Sequence, residues 1–259
     1  MAKQRLDNLL VLRGLADSRS QAQAFILAGK VTVLGKKTAK PGTFVDEHAP
    51  IELEEKLPYV SRGGIKLSYA LDEFKIDVAS LVAMDVGAST GGFTDCLLQR
   101  GASKVYAIDV GYGQLDYKLR TDPRVVIMER VNAHYAFSLP EKVNMATVDV
   151  SFISVTKVVP NLLEHLSAPG YLVILLKPQF EAQKEEVGKG GIIKDPQVHA
   201  RVLGRFVRWV VENDLRLLGL VPSPISGAEG NKEFFLLLRP RHLMLRPQPS
   251  KKNGNEVNR

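Results

Sequence analysis

The chain has 259 residues, 45% of them hydrophobic, enough for a small domain joined to a medium one, and a net charge of +7. A single cysteine, Cys96, excludes an internal disulfide framework, and no Cys/His cluster has zinc spacing, so the expectation is a metal-free protein of a reducing cytoplasm. The Leu9–Leu12 run is broken by Arg13, and Tyr171–Leu176 is far too short to span a bilayer, so neither a leader nor a membrane role is expected.

The first elements form a unit of their own. Leu6, Leu9, Leu10 and Leu12 mark a helical face that Gly14 ends. A second helix is predicted from Ser18, with Gln21 in capping-box position and Ala22, Phe25 and Ile26 at helical spacing, until Gly29 stops it. Val31 and Val33 then alternate as a strand, Gly35-Lys36 turns, and Phe44-Val45 and Ile51–Leu53 supply further short strands. Residues 1–40 carry a net +6 and residues 239–259 a net +5, leaving −4 for the middle; basic ends around an acidic centre suit a polyanion held from the flanks.

The run RLDNLLVLRGLADSRSQAQAFILAGKVTVLGKKTAKPGTFVD, residues 5–46, resembles the S4 RNA-binding domain. The matching motifs are R-x-D-x-x-L, R-G-L, S-R-x-x-A and G-x-V-x-V-x-G. The resemblance implies an α+β module that docks structured RNA, with Arg5, Arg13, Arg19, Lys30, Lys36, Lys37 and Lys40 as candidate contacts and Ser61 and Arg62 of the following SRGG motif beside them. Clustered cations bind RNA by neutralising phosphates and releasing counterions, which positions a protein without reading sequence. The expected organisation is an S4-like domain over 1–55, a linker over 56–64 opened by Pro58, a catalytic domain over 65–240 and a basic, unfolded tail over 241–259.

From Ile65 to Phe74 the apolar residues follow helix spacing, with Gly63-Gly64 expected to precede the helix. Strands are predicted at Leu81–Val86, Val105–Ile108, Val125–Met128, Met145–Val150, Tyr171–Leu176, Leu217–Val221 and Phe234–Leu238, with helices at 92–100 and 195–213. Alternating βα units imply a mostly parallel sheet covered on both faces, with ligands at the carboxyl ends of its strands.

The loop between the first strand and helix of this series reads MDVGASTGGFTD, residues 84–95. A dinucleotide loop has the form G-x-G-x-x-G, and Ser89 stands where its second glycine would be. Gly87, Gly91 and Gly92, with Ala88, Ser89 and Phe93 between and after them, let a backbone approach a ligand, and Asp109 ends the next strand where an acid grips a ribose. Asp85 would repel a pyrophosphate but suits an ammonium group. Charge therefore favours S-adenosyl-L-methionine over NAD, with a plain structural turn as the remaining alternative.

DVGASTGGFTD is similar to the cofactor loop of FtsJ-type RNA ribose methyltransferases. With YVSRGGIKL, AIDVGYGQL, ATVDVSFIS, LLKPQFE and SPISGAEGNKEF, the chain resembles the TlyA (hemolysin A) family of rRNA 2′-O-methyltransferases. That resemblance implies a Rossmann-like class I methyltransferase domain, S-adenosyl-L-methionine as cofactor and cytidine in 16S or 23S rRNA as substrate. It places a Lys-Asp-Lys-Glu tetrad at Lys66, Asp149, Lys177 and Glu233, and adds Asn132 and Asp149 to the cofactor set. Glu229 competes with Glu233, which is preferred because it holds the G-N-x-E-F position. His134 stands where an arginine is expected of relatives. DVSF, in place of an Asp-Pro-Pro-aromatic motif, favours a hydroxyl over an amino acceptor. The competing readings are a pore-forming hemolysin, a non-catalytic RNA-binding or assembly factor, and a nucleotide-dependent oxidoreductase.

Overall fold

The computed structural model describes residues 3–16, 18–27, 29–38, 40–53, 58–227 and 229–243. The expected tail lies outside them from residue 244 onward, as do linker residues 56 and 57. The chain divides into two compact units at Leu57/Pro58.

The smaller unit runs β1 (Lys3–Arg5), α1 (Leu6–Leu12), α2 (Arg19–Leu27), β2 (Val31–Val33), β3 (Lys36–Lys37), β4 (Phe44–Asp46) and β5 (Ile51–Leu53). Leu6, Leu10, Ala22, Ile26 and Val31 bury fully to form its core. The Ser18 hydroxyl accepts from the Gln21 N–H at 3.3 Å, as a helix-capping serine does. The reversal after β2 falls on Leu34-Gly35, both at positive φ (52° and 74°), one residue earlier than the expected Gly35-Lys36, and Lys36-Lys37 instead pair with Thr32 and Val33. Two consecutive left-handed residues match the twist of a tight hairpin.

The larger unit contains α3 (Arg62–Glu73), β6 (Val82–Val86), α4 (Gly92–Gln99), β7 (Lys104–Asp109), α5 (Tyr117–Arg120), β8 (Val125–Glu129), β9 (Val143–Val148), α6 (Val159–Leu163), β10 (Leu166–Leu176), α7 (Pro178–Glu181), α8 (Pro196–Glu212), β11 (Leu215–Pro222) and β12 (Phe234–Pro240). Seven strands form one sheet in the order β11-β12-β10-β9-β6-β7-β8. All neighbouring pairs are parallel except β10–β12 and β11–β12, so β12 alone runs against the rest. Successive side chains of β10 serve opposite faces: Leu172, Ile174 and Leu176 join one core, Val173 and Leu175 the other. α8 presents Val198, Val202, Phe206 and Val210, four residues apart, to the first of these cores.

Helix α3 begins at Arg62, so Gly63 and Gly64 lie inside it rather than before it. The reason is packing: a Cβ on Gly64 would stand 2.3 Å from the Tyr59 side chain. The glycines permit a close approach there instead of breaking the helix.

Candidate active site

The topology explains why residues far apart in sequence meet. Asp85 and Gly87 stand at the end of β6, Asp109 ends β7, Asp149 follows β9 and Lys177 follows β10. Because β12 is antiparallel, its beginning, not its end, lies at this same edge, and Glu233 directly precedes it.

Two ion pairs result. Lys66 Nζ donates to Glu233 Oε2 at 2.6 Å, with the side chains only 11% and 3% exposed. Lys177 Nζ lies 2.7 Å from Asp149 Oδ1 and gives its hydrogen bond to Ser151 Oγ at 2.8 Å. Each lysine is thus held by a carboxylate through a charge-assisted contact.

Two adjoining cavities share Gly87, Ser89 and Asp149 as walls. The larger, about 370 Å³, is lined by Asp109, Asn132 and His134 together with apolar Ile108, Val131 and Ile153. The smaller, about 140 Å³, brings together Ser61, Lys66, Ala88, Gly92 and Phe93. Asp149 therefore stands between the larger cavity and Lys66. Among the described residues lining the larger cavity are two carboxylates, Asp109 and Asp149, and no Lys or Arg. Asp149 is already paired with Lys177, so Asp109 is the carboxylate of this wall with no ion-pair partner among the described residues, and a wall that presents acids and no cation disfavours a pyrophosphate.

The loop is braced internally. The Gly87 and Ala88 N–H groups donate to the Ile108 carbonyl at 2.9 and 3.1 Å, and the Asp149 N–H to that of Val86 at 2.9 Å. Asp109 accepts from the N–H groups of Ser89 (2.8 Å) and Gly111 (2.6 Å), which fixes its carboxylate at the cavity rim. Ser89 sits at φ 49°, doing as a left-handed serine what a glycine does in a dinucleotide loop. Asn132 Oδ1 accepts from the His134 N–H at 3.0 Å.

Two expected cofactor residues are placed elsewhere. Asp85 is fully buried, accepts from Thr94 Oγ1 (2.7 Å) and Thr147 Oγ1 (2.9 Å), and lines neither cavity. Strand parity is the cause: Asp85 shares the face of Ala83, turned to the core under α4, and not the cavity. Burial pushes its carboxyl up to about 6, although both threonines favour the ionised form. Gly91 also lines neither cavity; at φ 93°, its missing Cβ leaves room for Leu119, 2.2 Å away from where that atom would lie.

The candidate RNA contacts divide similarly. Arg5 grips fully buried Asp7 with two hydrogen bonds (3.0 and 2.8 Å), and Arg19 Nε and Gln23 Nε2 share Oδ2 at 3.1 and 2.9 Å. The Arg5 guanidinium first, then Gln23 and Arg19, hold the Asp7 carboxyl well below the usual range against the opposing effect of burial. Arg13 donates to the carbonyls of Ala49 (2.7 Å) and Glu47. These three arginines therefore have internal partners rather than being free cations. Lys36, Lys37 and Lys40 are exposed and Lys30 half-buried. In the larger unit, Ser61 precedes α3 and lines the smaller cavity, and Arg62 donates to the Ser226 carbonyl at 3.2 Å.

The structure adds residues that sequence reasoning missed. Asp95, 2% exposed, closes the glycine motif and accepts from the Val60 N–H (2.9 Å), Gln99 (3.0 Å) and Lys118 (3.2 Å), fastening the segment that leads into the Lys66 helix. Glu181, whose carboxyl burial raises, accepts from Ser154 Oγ and the Val155 N–H and so ties the loop after Asp149 to the helix after Lys177. Phe152 is 92% exposed at φ 62°, against Phe180 at 5.1 Å, on the rim of the larger cavity. A bulky residue at positive φ is costly and marks a held position.

Known proteins resemble the chain across both units. The FtsJ-like methyltransferase family matches residues 59–240 and the S4 domain residues 4–51. The chain is 49% identical over 244 residues to "Putative rRNA methyltransferase YqxC" of Bacillus subtilis, covering 91% of this chain and 85% of that one. It is 45% identical over 239 residues to "16S/23S rRNA (cytidine-2'-O)-methyltransferase TlyA" of Mycobacterium tuberculosis, covering 91% and 89%. A solved structure, "Putative hemolysin from Streptococcus thermophilus", superposes with a TM-score of 0.71 at 43% identity, covering 93% and 89% of the two chains. No helix among the described residues is long and apolar enough to cross a membrane.

Proposed function

The chain belongs to the TlyA family of S4-domain, FtsJ-like methyltransferases, and from that premise we propose that it methylates the ribose 2′-hydroxyl of a cytidine in ribosomal RNA. The observation that carries this reading is the pairing of Lys66 with Glu233 and of Lys177 with Asp149 around the wall between the two cavities.

The donor chemistry of the larger cavity suits S-adenosyl-L-methionine: Asp109 would offer carboxylate oxygens to ribose hydroxyls, Asn132 and the apolar residues beside it would take the adenine, and Asp149, shared with Lys177, would meet the positive methionine end. When bound, that cofactor supplies an activated methyl group on a sulfonium. The protein's own part is positional and electrostatic. Lys177, steadied by Asp149 and Ser151, orients the 2′-oxygen and stabilises the negative charge it develops as its proton passes to solvent water and it takes the methyl group, the methyl–sulfur bond breaking in the same step. Lys66, steadied by Glu233, extends that field to the adjoining phosphate or hydroxyl. Holding acceptor and donor in line removes most of the entropic part of the barrier. The smaller unit docks structured RNA through Lys30, Lys36, Lys37 and Lys40, while Arg5, Arg13 and Arg19 keep it folded and add to its positive field. This division of labour follows the proposed domains, 1–55 for docking and 65–240 for catalysis, in a cytoplasmic protein.

The test is transfer of labelled methyl from S-adenosyl-L-methionine to separated 30S and 50S subunits from an unmodified strain, with the product mapped by alkali-resistant linkages. The expected product is a 2′-O-methylated cytidine, lost in Lys177→Ala with cofactor affinity retained. Methylation confined to a base, or full activity of Lys177→Ala, overturns the proposal.

A further inference from the structure

Between α7 and α8 the chain carries the glycine run Gly188-Lys189-Gly190-Gly191, and none of the residues assigned to the reaction lies on it. Its backbone turns through two consecutive left-handed glycines, Gly190 and Gly191, at φ 74° and 75°, a conformation other residues adopt only with strain. The run is fastened on both sides. Before it, Glu186 pairs with Arg201 and Arg205 of α8 at 3.2 and 2.5 Å. After it, Ile193 enters the core.

The group that closes this turn comes from 40 residues past Gly191. Asn231, the asparagine of G-N-x-E-F, is 2% exposed, and its side-chain amide spans the run. Oδ1 accepts from the Ile193 N–H and Nδ2 donates to the Gly191 carbonyl, both at 2.9 Å. The two partners are of opposite kind, and an uncharged amide offers an acceptor and a donor side by side. Aspartate would set an acceptor against the Gly191 carbonyl. Alanine would leave the buried Ile193 N–H without a partner, which folded interiors seldom allow.

The same residue shapes the seat of the Glu233 carboxylate. Burial alternates over Asn231, Lys232 and Glu233, with the lysine exposed between two buried side chains, so Asn231 and Glu233 turn inward together. The Asn231 carbonyl accepts from the Gly227 N–H at 2.9 Å, and the Glu233 carbonyl from the Ser223 N–H at 2.8 Å. Gly227 is what the carboxylate meets on the side away from Lys66: a Cβ there would stand 2.5 Å from Oε1, while Oε2 takes the Lys66 ammonium. Arg62, one turn before Lys66 in α3, donates to the Ser226 carbonyl of this same turn. The carboxylate thus lies between Lys66 and a turn that Asn231 ties to the glycine run.

Resting on the reading of Glu233 as a member of the catalytic tetrad, we propose that Asn231 is a positioning residue: its side-chain amide locks the glycine run to the turn before β12 and so holds the Glu233 carboxylate on Lys66. Asn231 lines neither of the two cavities that meet at Asp149, so it acts through Glu233 and not on the cofactor.

The experiment measures how far Lys66 and Glu233 depend on each other, with and without Asn231. Urea unfolding of the full chain, followed through Trp209, is run for Lys66→Met, Glu233→Gln and their double variant, in the wild-type and in the Asn231→Ala background. The two substitutions are expected to be strongly non-additive with Asn231 present and to lose most of that coupling in Asn231→Ala. An asparagine that only supports the fold would lower the stability of all four members alike and leave the coupling unchanged, a result that overturns the proposal. Asn231→Ser, a milder change whose side chain cannot span both partners, gives the same reading where the alanine background is too unstable to measure. In parallel, Asn231→Ala is expected to lower kcat about tenfold, the size of one neutral hydrogen bond, with KM for S-adenosyl-L-methionine unchanged. A rise in that KM with kcat retained overturns the proposal as well. The unfolding cycle needs no turnover. Absence of methyl transfer by the wild-type chain would instead strike at the enzymatic reading.

Discussion

The Lys66–Glu233 pair offers the sharpest test of the site, because it makes opposite predictions for single and double substitutions. The two groups meet at 2.6 Å with side chains 11% and 3% exposed, so each relies on the other for its counter-charge. Glu233→Gln keeps the shape and an acceptor but removes the anion; Lys66→Met removes the cation and leaves a carboxylate buried. Breaking a buried pair from one side costs about 3–5 kcal/mol, since a bare charge is left in a low-dielectric site. For a unit of this size that is a fall of roughly 6–20 °C in Tm. The double variant buries no bare charge, so it is expected to be no less stable than either single one. The coupling energy is then about 3 kcal/mol or more. Trp209, the chain's one tryptophan, stacks on Phe206 within the larger unit, so its fluorescence reports the unfolding of that unit alone. Single effects that add to within about 0.5 kcal/mol would refute the reasoning, because they would mean the groups do not depend on each other. All three variants are expected to lose methyl transfer, the double one despite its regained stability.

Asp85 should make the larger unit less stable as pH rises. Its carboxyl is pushed up to about 6, so between about 4 and 6 the native state holds a proton that the unfolded chain releases; stability falls across that window by roughly 3 kcal/mol and levels off above it. The difference in urea unfolding free energy between wild type and Asp85→Asn, measured from pH 4 to pH 8, isolates this slope, and a flat difference would contradict it. Cys96 is fully buried and burial pushes its thiol up to about 12, so a thiol reagent at pH 8 is expected to react only after unfolding; rapid labelling of the native chain would contradict the packing under α4. Ser151→Ala removes one of the two contacts on Lys177 and is expected to lower kcat about fivefold to tenfold, far less than Lys177→Ala; equal losses would mean that Ser151 does more than steady the ammonium.

What the sequence disclosed depended on how local each cause was. The sheet was legible because runs such as Leu172–Leu176 are buried on both faces and carry their own signal. β1 and β3 were not, since Lys3–Arg5 and Lys36–Lys37 are short and polar and gain their strand geometry only from β4 and β2. The start of α3 was missed because glycines read as breakers until Tyr59 is seen against Gly64. Helix α6 hid behind Pro160, which is tolerated in the first turn of a helix. The proposed tetrad positions carry motifs of their own, whereas Ser151, Asp95 and Glu181 acquire meaning only from partners that the fold brings to them. Asp85 could not be placed from parity alone, because Met84 and Val86 enter one core and Ala83 the other, and only Thr94 and Thr147 show which side takes its carboxylate.

The glycines of DVGASTGGFTD have more than one physical cause. Clearance for a ligand accounts for only part of them. A Cβ on Gly87, at φ 85°, would stand 2.4 Å from the Asp149 carbonyl oxygen, so this glycine sets how closely β6 and β9 bring Asp149 to the loop. A Cβ on Gly92 would stand 2.2 Å from Ser61 Oγ and 2.9 Å from the Gly64 nitrogen, so this one sets how closely the start of α4 crosses the start of the Lys66 helix. Asp95, one turn into α4, then clamps the Val60 backbone and holds that crossing in place. The loop is therefore less a cradle than a joint: its small residues fix Asp149 on one side and Lys66 on the other, and the ligand-facing surface is what those two approaches leave open. That is why Ser89 can replace a glycine, since it lies between the joints, and why its left-handed backbone is retained with its N–H anchored on Asp109.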